Sequence, residues 1–491
     1  MTELHFPWLE LSILVPLVGA VWVAQIRNPE SSRQHCLAFS TLTLACTFGA
    51  WLDFAVIGAT AAHAPWDVLA QALGRNLFVI DEFSAPLLPL AGLLHFLVVL
   101  TTSSTKLRRY SFSWALASEV ILLATLSCQE PWLIIALLAA GTVHPFMEIK
   151  DRGKPTRVFA LHMALFLILL VTGWAAIEWS PEEPAPWAIG LLVAAVLIRS
   201  GIAPLHCWMT DLFEHATFGT ALLFATPMLG TYAAVRLILP IAPAWALSVI
   251  VVAATATAVY AAAMTLAQRE TRRFFCYLFL SHSALVLVGL GVATPISLTA
   301  ALSVWLSVAL ALGGFGLTLR SIEARTGRLS LADFHGLYDQ MPTLAAFFLF
   351  TGMASVGFPG TFGFIGTEML IDGAVQAWTA VGLIVVCAAA LNGIAILQTW
   401  LLLFGGKRHF SSVSLKCCRS EQIAMIALAV LILGSGLFPQ PGITSRKHAA
   451  DELIRLRGTT TAAHAHIGTR QNPKETRGAT NPVAHRATES N

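Results

Sequence analysis

Charged residues are scarce in this chain. Aspartate, glutamate, lysine and arginine make up 12% of its 491 residues, and hydrophobic residues make up 56%. A soluble protein typically carries about 25% charged residues. This balance excludes a large soluble enzyme and predicts a protein that crosses a lipid bilayer many times. The net charge of +3 is too small to indicate a nucleic-acid partner.

Motifs that hold metals or cofactors are also lacking. The eight cysteines are scattered, mostly within apolar runs, and neither a Cys-x-x-Cys pair nor a His/Cys spacing predicts a zinc or iron–sulfur site. Outside the apolar runs there is no Gly-rich phosphate loop, no Ser/His/Asp set and no pair of catalytic carboxylates. The sequence therefore predicts no metal, no cofactor and no self-contained enzyme, and it leaves open whether the chain is a subunit of one.

What the chain does contain is a series of apolar runs of about 20 residues, each long enough to cross about 30 Å of hydrocarbon. The first run lacks a basic n-region and a small-residue cleavage site, which predicts a retained helix and not a signal peptide. The runs predict an all-α polytopic membrane protein with about fourteen transmembrane helices. They lie near residues 7–26, 36–60, 83–104, 111–128, 131–149, 157–178, 186–206, 219–240, 243–268, 274–292, 296–320, 342–379, 382–405 and 422–439.

Charges alternate in sign between successive loops. With fourteen spans, the basic loops all fall on one side of the membrane and the acidic loops on the other. The positive-inside rule then places the basic loops in the cytoplasm and both termini on the non-cytoplasmic side. The basic loops carry Arg27/Arg33, Lys106/Arg108/Arg109, Lys150/Arg152/Lys154/Arg157, Arg269/Arg272/Arg273, Arg320/Arg325/Arg328 and Lys407/Arg408/Lys416/Arg419, and the acidic loops carry Asp81/Glu82 and Glu178/Glu182/Glu183.

Two of the predicted spans are interrupted, the seventh near Gly201 and Pro204 and the twelfth near Pro359 and Gly360. Paired interrupted helices predict an inverted internal repeat with functional sites at the breaks. We therefore divide the chain into N-terminal helices (1–110), a core of two five-helix repeats (111–405), a C-terminal helix (406–441) and a polar tail (442–491). The composition of the tail predicts disorder.

A few ionisable residues lie inside apolar runs, where a charge costs roughly 2.5–3.5 kcal/mol on insertion scales. Arg199 precedes the first interruption, and because it keeps its proton it can set a local potential but cannot relay protons. His206 follows the interruption and has the chemistry of a relay. The structural alternative for Arg199 is an anchor at the break, or a side chain that reaches the cytoplasmic surface.

Glu119, His282 and Glu368 are the other candidates for a proton path. Glu119 lies in the fourth span, where we expect a cation such as Arg199 to neutralise it. His282 lies in the tenth span, and Glu368 shares a face of the twelfth span with Asp372. Hydrogen bonding between helices is the structural alternative for Glu119 and His282. Weaker candidates are His95, His144 and His162.

Five motifs occur in a fixed order along the chain, at residues 78–84, 199–211, 272–282, 334–368 and 436–441. The second, Arg199 to Asp211, resembles the signature Lys-x-Pro-x-x-Pro-x-His-x-Trp-Leu-Pro-Asp. The fourth contains Gly357-Phe-Pro-Gly-Thr-Phe-Gly363, which is similar to Leu-Pro-Gly-Thr-x-Gly. Together they resemble the antiporter-like subunits of respiratory complex I, closest to the subunit M/ND-four type, and the related Mrp-type cation/proton antiporters. The resemblance runs through most of residues 75–445.

The sequence departs from that family at positions where the family carries ionisable residues. In register, the fifth-helix Glu falls at or near Ala140, the eighth-helix Lys falls between Met228 and Gly230, and the seventh-helix Lys is Arg199. An eleventh-helix His or Lys falls near Val308, and the twelfth-helix acid falls at Thr367, beside Glu368. A proton path needs groups that take up and release protons, which Ala, Gly, Val and a permanently charged Arg do not.

The resemblance implies a proton-translocating membrane subunit of a complex I-like (NADH-quinone oxidoreductase type) assembly, without a redox centre of its own, in the cell inner membrane. Its implied partners are other membrane subunits and the lipid bilayer. In that interpretation Glu119, Arg199, His206, His282 and Glu368 line a hydrated path. Two alternatives stay open: a membrane partner of a cytoplasmic enzyme of the inorganic-carbon uptake or membrane hydrogenase type, and a non-conducting scaffold.

Overall fold

The structure, a computed structural model, describes residues 2–66, 77–103, 107–108, 110–180, 184–406 and 415–471, with side chains described up to residue 458. Within these ranges the chain is almost entirely helical. Some of the loop charges used to predict the orientation lie outside the described residues: Lys106, Arg109, Glu182, Glu183, Lys407 and Arg408.

Helices follow one another along the chain with short connections. The first eleven are α1 (Trp8–Ala24), α2 (Pro29–Ile57), α3 (Leu87–Leu100), α4 (Phe112–Leu126), α5 (Pro131–Gly141), α6 (Val143–Asp151), α7 (Arg157–Trp179), α8 (Pro186–Arg199), α9 (Cys207–His215), α10 (Phe218–Ala225) and α11 (Leu229–Ala233), which continues as a π-helical turn (Ala234–Ile238). The others are α12 (Ala244–Ala267), α13 (Thr271–Val292), α14 (Pro295–Thr326), α15 (Pro342–Ser355), α16 (Phe362–Ala377), α17 (Thr379–Phe404), α18 (Arg419–Leu437) and α19 (Gln440–Gln471).

Nine helical stretches of the described chain are long and apolar enough to cross a membrane. The predicted class, an all-α polytopic membrane protein, is confirmed. The count of fourteen spans and the inverted repeat stay predictions, because five further apolar helices are only 10–17 residues long. The 14 residues of α8, for example, extend about 21 Å, so this span needs the chain beyond its break to cross the hydrocarbon layer.

The centre of the molecule is formed by α13 and α14. In the most apolar 18-residue stretch of each helix, 94% and 83% of the residues are buried. This burial arises because α12 packs on α13 while α15 and α16 pack on α14. In α7 the corresponding share is 28%, and its outer face exposes Leu161, Leu165 and Ile168. Such a face is suited to contact with lipid hydrocarbon.

Both predicted interruptions are confirmed. The first break, residues 200–206, separates α8 from α9, and the second break, residues 356–361, separates α15 from α16. Gly201 (φ 71°) and Gly357 (φ 85°) lie in the left-handed region there, which glycine adopts without steric cost. A third interruption was not predicted: residues 226–228 separate α10 from α11, and Met228 has φ of 52°.

A small sheet lies at the opposite end of the molecule from the basic loops. Strand β2 (Ala61–His63) pairs in parallel with β1 (Thr2–Glu3) and antiparallel with β3 (Val79–Asp81). Strands of two or three residues leave no periodic pattern in the sequence, which explains why hydropathy did not predict them.

The structure corrects the prediction that the chain is disordered from residue 442. Helix α19 covers Gln440–Gln471, and Arg446 is buried where it donates to the carbonyl oxygen of Phe83 at 3.2 Å. Ala449, Ala450 and Leu453 are buried on one side of the helix. The mean hydropathy of the segment is polar, so it did not reveal this narrow apolar stripe. Residues 472–491 lie outside the described part of the chain.

Candidate functional site

Arg199, the last residue of α8, lies at the first break and is 3% exposed. Its guanidinium carbon is 4.1 Å from the centre of the Phe224 ring and 5.4 Å from that of Trp208. Nη2 donates to the Phe224 carbonyl oxygen at 3.5 Å, and Nε has no hydrogen-bond partner among the described residues. No carboxylate in the described chain lies within 4.0 Å of Arg199.

The unpredicted interruption of the eighth span explains how this cation is held. The Met228 amide donates to the Ala225 carbonyl, one residue away from the partner that a continuous helix would use, Phe224. The Phe224 carbonyl therefore lies free at the carboxyl end of α10, where orphan carbonyls and the helix dipole favour a positive charge. Aromatic faces add cation–π attraction. Arg199 is thus stabilised by a helix end and two rings.

Glu119 is fully buried in α4, and its surroundings correct the expected pairing with Arg199. Its Oε2 accepts a hydrogen bond from Ser40 Oγ of α2 at 3.2 Å, and Oε1 has no partner among the described residues. The two ionisable side chains point to different helices, Glu119 to α2 and Arg199 to α10. The sequence positions of Glu119 and Arg199 could not predict which helices these two side chains face.

His206 lies at the end of the first break and immediately precedes α9. Its Nε2 is 3.5 Å from the hydroxyl oxygens of both Tyr260 and Tyr277, and its Nδ1 has no partner in the described chain. Tyr260 belongs to α12 and Tyr277 to α13, so His206 connects the first break to the central helices. A histidine between two phenols has the donors and acceptors of a proton relay.

Helix α13 carries further polar groups from the first break towards the second. His282 is 2% exposed, its Nδ1 is 2.8 Å from the Leu278 carbonyl oxygen, and its ring also faces the backbone of Ser355, the last residue of α15. Ser281 accepts a hydrogen bond from the Asn392 amide of α17 at 2.8 Å. His282 is thus the predicted site residue that lies at the second break.

Glu368 lies apart from the other predicted site residues. It is exposed on α16, as is Asp372 on the next turn. Its neighbour Thr367 instead points towards the second break, with Oγ1 3.0 Å from the position that a Cβ on Gly357 would occupy. Of the five predicted path residues, the structure brings Arg199 and His206 to one break and His282 to the other.

A second polar cluster involves two residues that sequence reasoning ranked as weaker candidates. Ser118 Oγ of α4 is 3.5 Å from His95 Nε2 of α3, and His144 Nε2 of α6 is 3.8 Å from Glu148 Oε2. Ser118, His95 and His144 line one cavity of about 30 Å³ together with Thr220. Since one water molecule needs about 10–15 Å³ of cavity volume, this cavity has room for about two water molecules.

Glu148 is the residue that sequence reasoning missed. Its Oε1 accepts from the Thr217 amide at 2.5 Å, its Oε2 accepts from the Thr220 hydroxyl, and Arg152 is 3.8 Å away. The signal that could have found it is the spacing of His144 and Glu148, which places both on one helix face. Its position beside a basic loop made it resemble an ordinary surface charge.

Apart from Arg199, the positions where the related family carries charges hold uncharged residues here. Met228 and Val308 are buried, and Ala140 lies in α5 close to its end. Gly230 lies directly against the first break, because a Cβ there would be 3.0 Å from the Arg199 carbonyl carbon and would collide with Ser200 Oγ. The eighth span therefore supplies close backbone packing to Arg199, and its own cation, Arg236, lies further along the span and binds Asp81.

Other charged residues form ion pairs that fix the ends of helices. Arg236 binds Asp81 through two contacts of 2.6 and 3.0 Å, and Arg272 binds Glu323 through two of 2.6 Å. Burial opposes ionisation of Asp81, but the charge of Arg236 and hydrogen bonds from Arg236 and Ser84 hold the pKa of Asp81 below its usual value. Among the described residues, no group of three or more His, Cys, Asp or Glu side chains is placed to hold a metal ion.

Residues 159–392, which include both breaks, match the family described as NADH:quinone oxidoreductase/Mrp antiporter, transmembrane. Over 92% of the chain, the sequence is 27% identical to NAD(P)H-quinone oxidoreductase chain 4 of Synechococcus sp. (strain WH7803), of which it covers 90%. It is also 27% identical to the protein of that name from Prochlorococcus marinus (strain NATL2A), over 96% of this chain and 98% of that protein.

Solved structures show the same fold. A chain of respiratory complex I from Thermus thermophilus superposes with a TM-score of 0.79 at 20% identity, covering 91% of this chain and 99% of that one. A chain of the Mrp complex from Dietzia sp. DQ12-45-1b has a TM-score of 0.79 at 19% identity, covering 93% and 99%. The resemblance drawn from the five motifs is confirmed.

Proposed function

We propose that this chain is a proton-translocating, antiporter-like membrane subunit of a complex I-like assembly that couples the redox chemistry of its partners to proton movement. The observation that carries the proposal is the first break, which a buried Arg199 precedes and His206 with its two tyrosines follows. Arg199 has no carboxylate partner among the described residues. Burying an ionisable group costs free energy, so such a group at a helix break within the membrane indicates an ion path.

In this mechanism Arg199 and His206 have different roles. Arg199 keeps its charge and raises the local positive potential, which lowers the energy of a nearby anion and opposes a proton that pauses beside it. His206 takes up and releases the proton, with Tyr260 and Tyr277 as neighbouring hydroxyl groups. The proton then passes along α13 towards His282 and the second break, where Glu368 stands on the outer face as a proposed exit residue.

Protons enter the first half through the second polar cluster. Glu148 lies beside the basic loop, His144 and His95 line the cavity of about 30 Å³, and Ser118 precedes Glu119 in α4. These groups lie where spans three to five meet. They offer a neighbouring route in place of the fifth-helix Glu that the related family carries near the position of Ala140. Glu119, which accepts a hydrogen bond from Ser40 of α2, is the buried carboxyl that follows Ser118 in the chain, and we propose it as the next group on this route.

The assembly that we propose contains other membrane subunits, because the structural relatives are chains of multi-subunit complexes, respiratory complex I and Mrp. The chain lies in the cell inner membrane with the basic loops in the cytoplasm and both termini outside. Residues 1–110 and 406–441 flank the conducting core of 111–405. The redox centres belong to partner subunits.

The test is proton uptake into vesicles that hold the chain with its native partners. We expect Glu119→Gln and His206→Gln each to lower the initial rate by about tenfold, which corresponds to about 1.4 kcal/mol of barrier. The matched controls are Glu178→Gln and His35→Gln, which change exposed residues of the same types and leave uptake unchanged. Assembly is followed by co-purification of the partners.

Unchanged uptake in Glu119→Gln and His206→Gln, with the complex intact, would refute the proposal. Uptake that is absent from the wild type would leave the scaffold alternative, which the uncharged residues at Ala140, Met228 and Thr367 favour. Uptake that follows the chemistry of a partner other than a quinone reductase would assign the chain to the second alternative, a membrane partner of another cytoplasmic enzyme.

A further inference from the structure

A cavity of about 230 Å³ lies at the end of the molecule that carries the basic loops. It is enclosed by the carboxyl end of α14, the starts of α10 and α13, and the residues after α3. We call it the arginine pocket; its charged and phenolic lining consists of Tyr110, Arg152, Arg272, Arg320, Glu323 and Arg328. Four cations and one carboxylate therefore face the same space.

The positive charge of the pocket is only partly neutralised, because carboxylates face two of its four arginines. Arg152 lies 3.8 Å from Glu148. Glu323 accepts two hydrogen bonds of 2.6 Å from Arg272, which neutralises its charge. Arg320 donates to neutral oxygens, the Val98 carbonyl at 2.7 Å and the Thr102 hydroxyl at 2.8 Å. Arg328 donates to a backbone carbonyl, that of Glu214. Since a guanidinium carries five N–H donors, Arg320 retains donors for a further acceptor.

Tyr110 contributes an unpaired hydroxyl donor to the lining of the pocket. Its side chain is 6% exposed, yet its hydroxyl has no hydrogen-bond partner among the described residues. The Arg320 guanidinium lies 5.4 Å from the centre of its ring. Buried polar groups are nearly always hydrogen-bonded, so an unpaired phenol in the lining of a basic pocket favours a ligand that supplies an acceptor.

We propose that the arginine pocket binds a phosphate group, with Tyr110 and Arg320 as its direct donors and Arg152 and Arg328 as surrounding charge. Arginine binds phosphate oxygens through paired donors and keeps its charge at every physiological pH. The phosphate belongs either to the head group of an anionic phospholipid, for which basic pockets between helices at the cytoplasmic surface are suited, or to free inorganic phosphate. The site does not depend on proton conduction.

Native mass spectrometry of the delipidated full-length chain tests this site, with phosphatidylglycerol added in one series and inorganic phosphate in the other. We expect one bound phosphate species whose affinity falls about tenfold in Arg320→Gln, as for the loss of a charge-assisted hydrogen bond. Tyr110→Phe removes one hydroxyl and keeps the ring, so it should weaken binding with the fold intact. The control is Arg269→Gln, which removes an exposed cation from the same face.

The two series identify the source of the phosphate. Saturable binding of phosphatidylglycerol that inorganic phosphate does not displace assigns a lipid head group, and the reverse assigns the free ion. Equal losses in Arg269→Gln and Arg320→Gln would mean that the whole basic face attracts anions, which would overturn the site. Absence of a bound species from the wild type, or unaltered binding in Tyr110→Phe and Arg320→Gln, would overturn it as well.

Discussion

At the first break a buried arginine lies against a free helix end and two aromatic rings, with His206 a few residues on. At the second break the buried group is His282, the adjacent Ser281 accepts a hydrogen bond from Asn392, and Glu368 lies on the outside. The backbone arrangement is alike, since each break has a left-handed glycine and is packed closely by another glycine, Gly230 or Gly363. The two breaks therefore share this backbone arrangement and differ in charge.

This difference shows that a helix break and a buried charge have different structural requirements. A broken helix survives when packing and local hydrogen bonds satisfy its backbone. A buried charge survives only where oriented dipoles or rings compensate it. The first half supplies such groups to Arg199 through the unexpected interruption at Met228, and the second half supplies hydrogen bonds to neutral side chains.

The largest expected effect comes from removing the charge at the first break. Arg199→Gln should lower proton uptake by at least about tenfold, or about 1.4 kcal/mol of barrier. His282→Gln, the matching change at the second break, should produce a smaller loss. Because Arg199 has no carboxylate partner in the described chain, its removal leaves no unpaired buried acid, so folding should persist in size-exclusion chromatography. Equal losses in both variants would remove the functional contrast between the breaks.

A change of intermediate size tests the shared architecture. Gly230→Ala should destabilise the protein by about 1–3 kcal/mol, because the new methyl group would lie 3.0 Å from the Arg199 carbonyl carbon. Gly363→Ala should do the same at the second break, where the new Cβ would lie 2.9 Å from the Ala354 carbonyl oxygen. The measurement is the midpoint of thermal unfolding in detergent.

Gly393→Ala is the matched control for these two variants, since nothing lies within 4 Å of its added Cβ. Alanine favours helix over glycine by up to about 1 kcal/mol, so this variant should be unchanged or slightly stabilised. Destabilisation at one break alone would show that the two sites are packed differently, contrary to the comparison.

The smallest expected effect concerns Glu368. Because this side chain is exposed on α16, Glu368→Gln should change the free energy of unfolding by no more than about 0.5 kcal/mol. Its effect on proton uptake should be smaller than that of Glu119→Gln, and Asp372→Asn, one turn further on, is the control. A loss of uptake as large as that of Glu119→Gln would give the second half an essential acid and weaken the comparison.

Sequence reasoning reached the parts of the fold that depend on composition and local pattern. The apolar runs and the Gly/Pro pairs predicted a multi-span helical protein and both breaks, since hydropathy and backbone preference act over a few residues. The same averaging failed for α19, whose buried seam of Ala449, Ala450 and Leu453 is too narrow to outweigh its polar neighbours. The short strands also left no pattern.

The sequence by itself determined that Arg199, His206, Glu119 and His282 are ionisable groups in apolar surroundings. Only the tertiary structure decided their partners: Arg199 faces the Phe224 carbonyl, Glu119 faces Ser40, and His206 faces two tyrosines. It also gathered His95, Ser118 and His144 around one cavity. The physical reason is that hydropathy fixes how deeply a residue is buried, whereas the crossing of helices distant in sequence fixes which group lies opposite it.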